Sequence, residues 1–306
     1  MLDILAIGDA IVDKIISFDE QDIVMQKILP VKGLFFVATV EEHAYLRQRK
    51  TLAYYAGGSA ANTIRNMALL GSKAGFVGKA GVDEDGIFFE KSLLDYGVKS
   101  YLIQTDEDKT GCSVVMVHDD KDRTQCAHPC ASNLLTDNEV PDTLLKNTKA
   151  ILTEGYMLNR RPELISNIIE RANKLGVMIS FTLSDVHCVE NKRELILNLL
   201  PKIDILFGNE YEFDVLNLSQ ADLKKTICVK TCGKNGVEVF TKNEKLFFKT
   251  KPMEAIVNTN GAGDGFAAGF LYAYQQNNSL EQAVLLGQEV AQKVLMTNLS
   301  YLPKKE

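Results

Sequence analysis

No run of 18 apolar residues occurs in the 306-residue chain, so no stretch reads as a membrane-crossing helix. The N-terminus lacks the basic start and apolar core of a secretory leader; Leu2 to Ile7 reads instead as a first buried strand, and a cytoplasmic location is expected. There is no basic excess either. With 34 Lys and Arg against 40 Asp and Glu, the net charge is −6, which supplies no field for nucleic acid. The clusters Arg47-Gln48-Arg49-Lys50 and Pro303-Lys304-Lys305 read as solvated surface. None of the six cysteines forms a C-x-x-C pair. Cys126 and Cys130 are separated by three residues, as are Cys228 and Cys232, and His128 lies inside the first pair; this spacing reads as reduced thiols rather than zinc ligands. Neither a Gly/Ser/Pro linker nor an internal repeat appears, which favours one domain over residues 1–306.

What is present is an ordinary globular composition, 46% hydrophobic and 24% charged, with apolar runs alternating with helical patterns from about residue 50 onward. That rhythm predicts an α/β fold with a mostly parallel sheet covered on both faces. Strand candidates are Gly75 to Gly78, Ile151 to Thr153, Val177 to Leu183, Ile203 to Phe207, Ile227 to Lys230 and Val237 to Thr241. Helices are expected over Pro162 to Leu175, with Gly176 ending it, and Glu194 to Leu200. Ile15 to Val40 and Lys99 to His118 break the rhythm: both are rich in β-branched and aromatic residues, with no helix between their strands.

The most informative stretch is Asn258-Thr259-Asn260-Gly261-Ala262-Gly263-Asp264-Gly265-Phe266. Met253 to Val257 before it reads as a buried strand; after it, Phe266, Phe270, Ala273 and Asn277 mark one helix face. Strand, glycine turn and helix start make an anion site of bare backbone N–H groups. The loop ends in Asp264 rather than in the Lys-Ser/Thr of a Walker loop. A carboxylate beside phosphate has a task if it takes a proton from an incoming alcohol. The competing explanation is that Asp264 only caps its helix.

Gly-Ala-Gly-Asp after Asn-Thr-Asn resembles the C-terminal signature of the ribokinase-like (PfkB) family of sugar and nucleoside kinases. Ala56-Gly57-Gly58-Ser59-Ala60-Ala61-Asn62, running to Leu70-Gly71, is similar to that family's N-terminal signature, roughly 200 residues earlier. The resemblance covers nearly the whole chain. It implies a three-layer α/β/α sandwich whose small β lid is formed by segments at about 15–40 and 99–118, and transfer of ATP's γ-phosphoryl group to a primary hydroxyl with Mg²⁺.

The resemblance also assigns roles to particular residues. Asp264 is implied to be the general base, and Gly261, Ala262 and Gly263 to offer N–H groups to the developing phosphate charge. Asp13 is implied to hold two neighbouring hydroxyls of the acceptor, with Asp9 as competitor. Gly57 and Gly58 would let backbone approach a sugar ring, and Asn62 would lie beside that gap with Ser59 as N-cap. Asn209 and Glu212 of Asn209-Glu210-Tyr211-Glu212 match an N-x-x-E motif that organises triphosphate and Mg²⁺, Glu212 acting through water. Thr231-Cys232-Gly233-Lys234-Asn235-Gly236 resembles a nucleotide loop in which Thr231, Gly233 and Gly236 admit ATP, although a plain hairpin turn would look the same. Arg123 aligns with an arginine that reaches the transferring phosphate, a surface turn being the alternative. The family signature usually begins with Asp where this chain has Asn258, which weakens the case for a bound monovalent cation such as potassium.

Phe181-Thr182-Leu183-Ser184-Asp185 and the segment from Asp204 to Glu210 look closest to the adenosine-kinase branch, so adenosine is the expected acceptor, with Phe36, Phe181 or the Cys126–Cys130 loop as a wall for the base. The alternative is a free-sugar kinase for ribose, fructose or a keto-deoxy acid. It would need more polar donors and, for an acid, a cationic clamp. A regulatory protein on a kinase scaffold is the more distant option. The chain could act as a monomer or pair through a lid edge.

Overall fold

The computed structural model describes residues 1–19, 21–22, 25, 35–37, 39–118, 123–253 and 256–304. Its strands in chain order are β1 (Ile4–Ile7), β2 (Ile11–Ser17), β3 (Phe35–Val37), β4 (Ala53–Ala56), β5 (Ala74–Gly81), β6 (Lys99–Thr105) and β7 (Gly111–Val117). There follow β8 (Arg123–His128), β9 (Ala150–Glu154), β10 (Met178–Thr182), β11 (Ile205–Asn209), β12 (Ile227–Thr231), β13 (Val237–Phe240) and β14 (Lys245–Phe248).

Nine of these form one sheet in the order β14-β13-β12-β11-β10-β9-β1-β5-β6. It is parallel from β12 to β6 and ends in an antiparallel hairpin of β13 and β14. Every residue of β1, β5 and β9 is buried, which is why Ile4–Ile7, 74–78 and 150–152 read as apolar runs instead of alternating ones, while Lys79, Thr153 and Glu154 are buried polar groups at the carboxyl ends. Side chains of β1 divide between two cores: Ile4 and Ala6 face one, Leu5 and Ile7 the other. The first core is closed by helices Ser59–Leu69, Glu84–Asp95, Ala262–Gln275 and Leu280–Leu295, and the second by Pro162–Lys174 and Val186–Leu199 with shorter helices around them. The result is a three-layer α/β/α sandwich.

The last two long helices approach closely because glycine faces glycine. A Cβ at Gly269 would lie 2.5 Å from the Leu286 carbonyl oxygen, and one at Gly287 would lie 2.9 Å from the Phe266 ring. Phe270 is fully buried on the same helix and meets Phe207 of β11 edge-on, with centroids 5.4 Å apart.

The remaining strands make a small sheet in the order β3-β8-β7-β2-β4. Its composition differs from the expected lid segments. Lys99–Thr105 is β6, paired in parallel with β5 at the edge of the large sheet. The small sheet instead recruits β4 and β8, and β2 begins at Ile11, ahead of the expected 15–40 segment. Much of 15–40 lies outside the described residues. Two further expectations change. Among the described residues of Met253 to Val257 there is no strand, and Ile256 and Val257 are exposed. The Ala262 helix stops at Gln275, leaving Asn277 in the following turn at φ 60°.

Because Phe270 has no collapsed alternative among those packed neighbours, Phe270→Ala should destabilise the protein by about 3–5 kcal/mol. Urea unfolding followed by circular dichroism measures this; a loss below about 1 kcal/mol would contradict the packing described.

Candidate active site

β1 lies in the middle of the parallel sheet, and the chain leaves it first toward β5 and β6, later toward β9 and β12. In open α/β sheets this reversal opens a crevice at the carboxyl ends of the strands. Asp9 just beyond β1, Glu154 ending β9, Ser184 beyond β10, Asn209 ending β11 and Thr231 ending β12 all border cavities at this end.

One cavity, of about 260 Å³, lies between this crevice and the small sheet. Asp9, Asp13, Asn62, Ser113, Gln125, Glu154, Arg160 and Asp264 line it with polar groups, while Ile11, Ala127 and Pro129 supply its apolar wall. Tyr156 is its only aromatic ring among the described residues. Phe181 is fully buried in the core of the opposite layer and borders neither cavity, so it is no base wall. The side chain of Phe36 lies outside the described residues. A second cavity, about 180 Å³, is lined by Gly208, Asn209, Glu212, Thr231, Gly263 and Phe266 among others. The two share Ser59, Ser184 and Asp264.

Asp264 therefore stands at a junction. It lies in the first turn of the Ala262–Gln275 helix, whose N-cap is Gly261 at φ 77°, and makes no capping bond to it. A Cβ at Gly261 would sit 2.0 Å from the Ser300 carbonyl oxygen, so only glycine admits this tight entry. Its carboxylate instead accepts from Ser59 Oγ at 2.6 Å and from Asn62 Nδ2 at 3.0 Å. Ser59 is thus not the expected cap of its own helix; that position falls to Gly58 at φ 86°. Asp264 keeps some surface at the cleft but is enclosed by protein, and burial pushes its carboxyl up to about 6 against the pull of Ser59 and Asn62.

Behind Asn62 stands Arg65, fully buried, which sequence reasoning passed over. Its guanidinium lies 4.8 Å from the Tyr301 ring centroid and 5.3 Å from that of Phe89. Its Nη1 donates at 3.4 Å to Gly57 O and to Asn62 Oδ1, which fixes the amide that serves Asp264. Asp13 lies across from it on β2; burial raises this carboxyl to about 7, Arg65 opposing and Asp264 reinforcing the shift. Gly57 leaves room for that carboxylate, since a Cβ there would meet Asp13 Oδ2 at 2.4 Å. Gly57 thus faces Asp13, and only Gly58 of the pair borders the cavity.

Glu154 and Arg160 were likewise not anticipated. Glu154, 1% exposed, accepts from Asp9 N at 3.3 Å and Ala60 N at 2.8 Å, and its carboxyl is raised by burial and then by Asp9. Arg160 pairs with Asp9 and with the Asn133 side chain. An acid ending a parallel strand was the signal that could have found Glu154.

At the second cavity, where the sequence suggests the nucleotide, the plain reading of Asn209 and Glu212 as a helix start is met. Asn209 and Glu212 form a reciprocal capping box: Glu212 N donates to Asn209 Oδ1 at 2.9 Å, and Asn209 N and Nδ2 each donate to Glu212 at 2.8 Å. Both also line the second cavity, and burial raises Glu212 to about 7. Glu212 and Asp264, the two carboxylates of this cavity, with neighbouring hydroxyl and carbonyl oxygens, form a donor set suited to Mg²⁺; with both Glu212 oxygens engaged by Asn209, its contact would run through water. Thr231 borders this cavity, whereas Gly233 (φ 53°) and Gly236 (φ 141°) belong to the β12–β13 hairpin loop outside both walls. Gly263 has nothing within 4 Å of a Cβ position and faces the same space, with Ala262 between it and Gly261. Arg123 starts β8 opposite Val117, and its side chain lies outside the described residues. Asn258 donates to Asn298 O at 3.4 Å and accepts from Asn260 N at 3.0 Å, fastening the loop with an amide that an aspartate could not imitate.

Two cavities meeting at one carboxylate, with a glycine-built helix start beside it, are the layout of an enzyme that phosphorylates an alcohol. The chain belongs to the pfkB family of carbohydrate kinases, whose family model matches residues 28–304. It is 30% identical over 281 residues to the 5-dehydro-2-deoxygluconokinase of Lacticaseibacillus casei, covering 84% of this chain and 85% of that protein. Among solved structures, a probable sugar kinase from Rhizobium etli superposes with a TM-score of 0.88 at 30% identity, over 99% of this chain and 96% of that one. The adenosine kinase of Sinorhizobium meliloti superposes with 0.86 at 29% identity, over 98% and 95% of the two chains. The chain is thus a ribokinase-like phosphotransferase with an alcohol acceptor, a family that uses ATP and usually Mg²⁺. No helix among the described residues is long and apolar enough to cross a membrane.

The raised carboxyls have a signed consequence. In the unfolded chain Asp13 and Asp264 release protons near 3.8, in the folded one near 7 and 6. The folded state binds more protons across that interval, so their contribution to stability is full below about pH 4 and lost as pH rises through 7. The gain in thermal midpoint of Asp264→Asn over wild type, measured by calorimetry, should therefore be larger at about pH 8 than at about pH 5. A gain that does not grow with pH would rule out the raised carboxyl.

Proposed function

We propose that the chain transfers the γ-phosphoryl group of ATP to a primary hydroxyl of a small polyhydroxylated sugar acid of the 5-dehydro-2-deoxygluconate type. Three things support this over the nucleoside expected from sequence. The acceptor cavity is lined chiefly by polar groups; its apolar wall is limited to Ile11, Ala127 and Pro129, and Tyr156 is its one aromatic ring among the described residues. Arg160 brings a cation to that lining, as a carboxylate-bearing acceptor requires. The relative from Lacticaseibacillus casei is named for such a substrate. Adenosine is the second reading, favoured by the similarity to the Sinorhizobium meliloti enzyme.

Asp264 carries the mechanism. Bordering both cavities, it accepts the acceptor's hydroxyl proton as the oxygen attacks the γ-phosphorus, while the bond to the bridging oxygen breaks and ADP departs. Ser59 and Asn62 hold both carboxylate oxygens, so the base is oriented before substrate arrives. The N–H groups of Gly261, Ala262 and Gly263 receive charge developing on the phosphoryl oxygens. Asp13 takes neighbouring hydroxyls of the acceptor. Asn209 and Glu212 would hold Mg²⁺ through water, with Thr231 beside the triphosphate; the ion neutralises phosphate charge when bound. Gly233 and Gly236 shape the loop that follows, and Arg123 is proposed at the transferring phosphate. With Asn258 tying its loop by an amide, turnover is expected not to depend on potassium.

An ATP-consumption assay on 5-dehydro-2-deoxygluconate, 2-keto-3-deoxygluconate, fructose, ribose and adenosine, with and without potassium, tests the acceptor. At least tenfold higher kcat/KM for a sugar acid than for adenosine is expected; the reverse order would establish the nucleoside reading. Asp264→Asn should lower turnover by ~10² or more while ATP affinity stays within several-fold. Near-normal turnover in that variant would remove the base. Asp13→Ala should raise acceptor KM, and an unchanged KM would discard the hydroxyl contact.

A further inference from the structure

A cluster outside both cavities joins residues far apart in the chain. His43 in the Val40–Arg47 helix comes beside His128, which ends β8, and Cys130 in the 3₁₀ turn that follows. One ligand atom from each lies within 4.8 Å of the others. His43 and Cys130 are buried and His128 half-buried. The ring centroids are 5.4 Å apart, and His128 Nδ1 stands 3.0 Å from Cys130 Sγ. His43 Nε2 lies 3.0 Å from the Cys112 carbonyl oxygen. That contact is a hydrogen bond when Nε2 carries the proton, which leaves Nδ1 with its lone pair. A carbonyl holding the far ring nitrogen is the usual outer contact of a metal-bound histidine.

We propose that His43, His128 and Cys130 bind Zn²⁺ through one imidazole nitrogen from each histidine and the Cys130 thiolate, water taking the fourth position. Two imidazoles and a thiolate suit zinc, and not the harder Mg²⁺ of phosphoryl transfer, which takes oxygen. A tetrahedral zinc wants such ligands roughly 3.3–3.6 Å apart; the His128–Cys130 pair at 3.0 Å would open slightly while ligand atoms up to 4.8 Å apart would draw in. On binding, the Cys130 S–H bond is replaced by S–Zn and the proton leaves to solvent. The Cys126–Cys130 spacing alone hid this set because its third member comes from residue 43. Ala127 and Pro129, on either side of His128, line the acceptor cavity. Zinc there fixes that wall and acts on acceptor binding, not on ATP.

Titration of the full-length, nucleotide-free protein with Co²⁺ as optical probe tests the site. One equivalent should bind with a thiolate-to-cobalt absorption band that Zn²⁺ displaces. Cys130→Ser should abolish the band, His43→Asn should weaken binding at least tenfold, and Cys228→Ser should leave it unchanged. Stoichiometric zinc should shift acceptor KM at least twofold with ATP KM unmoved. No thiolate band in the wild-type protein, or undiminished binding in both site variants, overturns the proposal; the wild-type titration decides alone if a variant does not fold.

Discussion

The paired hydrogen bonds from Ser59 and Asn62 to Asp264 join regions more than 200 residues apart, with separations of 205 and 202. They link the starts of two helices from opposite ends of the sequence over the carboxyl ends of one sheet. A buried carboxylate without them would be neutral or displaced; with them it is oriented, held near the threshold of ionisation, and turned toward both cavities. The remainder of the site serves this contact: Arg65 steadies Asn62, glycine at 261 admits the tight helix entry, and Asn258 fixes the loop before it.

Arg65 shows how much structure stands behind a single amide. A guanidinium with no exposed surface is sustained by two aromatic faces and by carbonyl oxygens, not by a salt bridge among the described residues. Burial lowers its pKa, with Tyr301, Tyr96 and Asp13 working against that shift. Lysine would keep the charge and lose the planar stacking, so the two cations are not equivalent at this position.

Much of the architecture was legible from sequence because parallel strands covered on both faces carry near-continuous apolar runs, as in β1 and the first three residues of β9. The small sheet was less legible. β6 carries the same β-branched and aromatic character as its neighbours, and composition does not say which sheet a strand's edge will join. Within the site, Asp264 and its glycines could be found because the chemistry fixes their spacing along one loop. Arg160 could not, since it meets Asp9 only through the fold; Glu154 left only its place at the end of a parallel strand, and the burial of Arg65 depends on Tyr301 and Phe89 from distant segments. Asn209 and Glu212 close a helix start and also border a cavity, so the capping reading accounts for their spacing without excluding the proposed one. The hairpin glycines 233 and 236 matched a plain turn as well as a nucleotide loop, and sequence had no means of separating the two.

The order of strands has a further consequence during biosynthesis. The face that carries Ile4, Ala6, Phe76 and Phe207 is covered in large part by helices spanning Ala262–Gln275 and Leu280–Leu295, near the end of the chain. A nascent polypeptide therefore displays a broad greasy surface until these two helices leave the ribosome, and Asp264, the proposed base, arrives with them. Shielding of the exposed sheet and completion of the junction between the two cavities become a single late event.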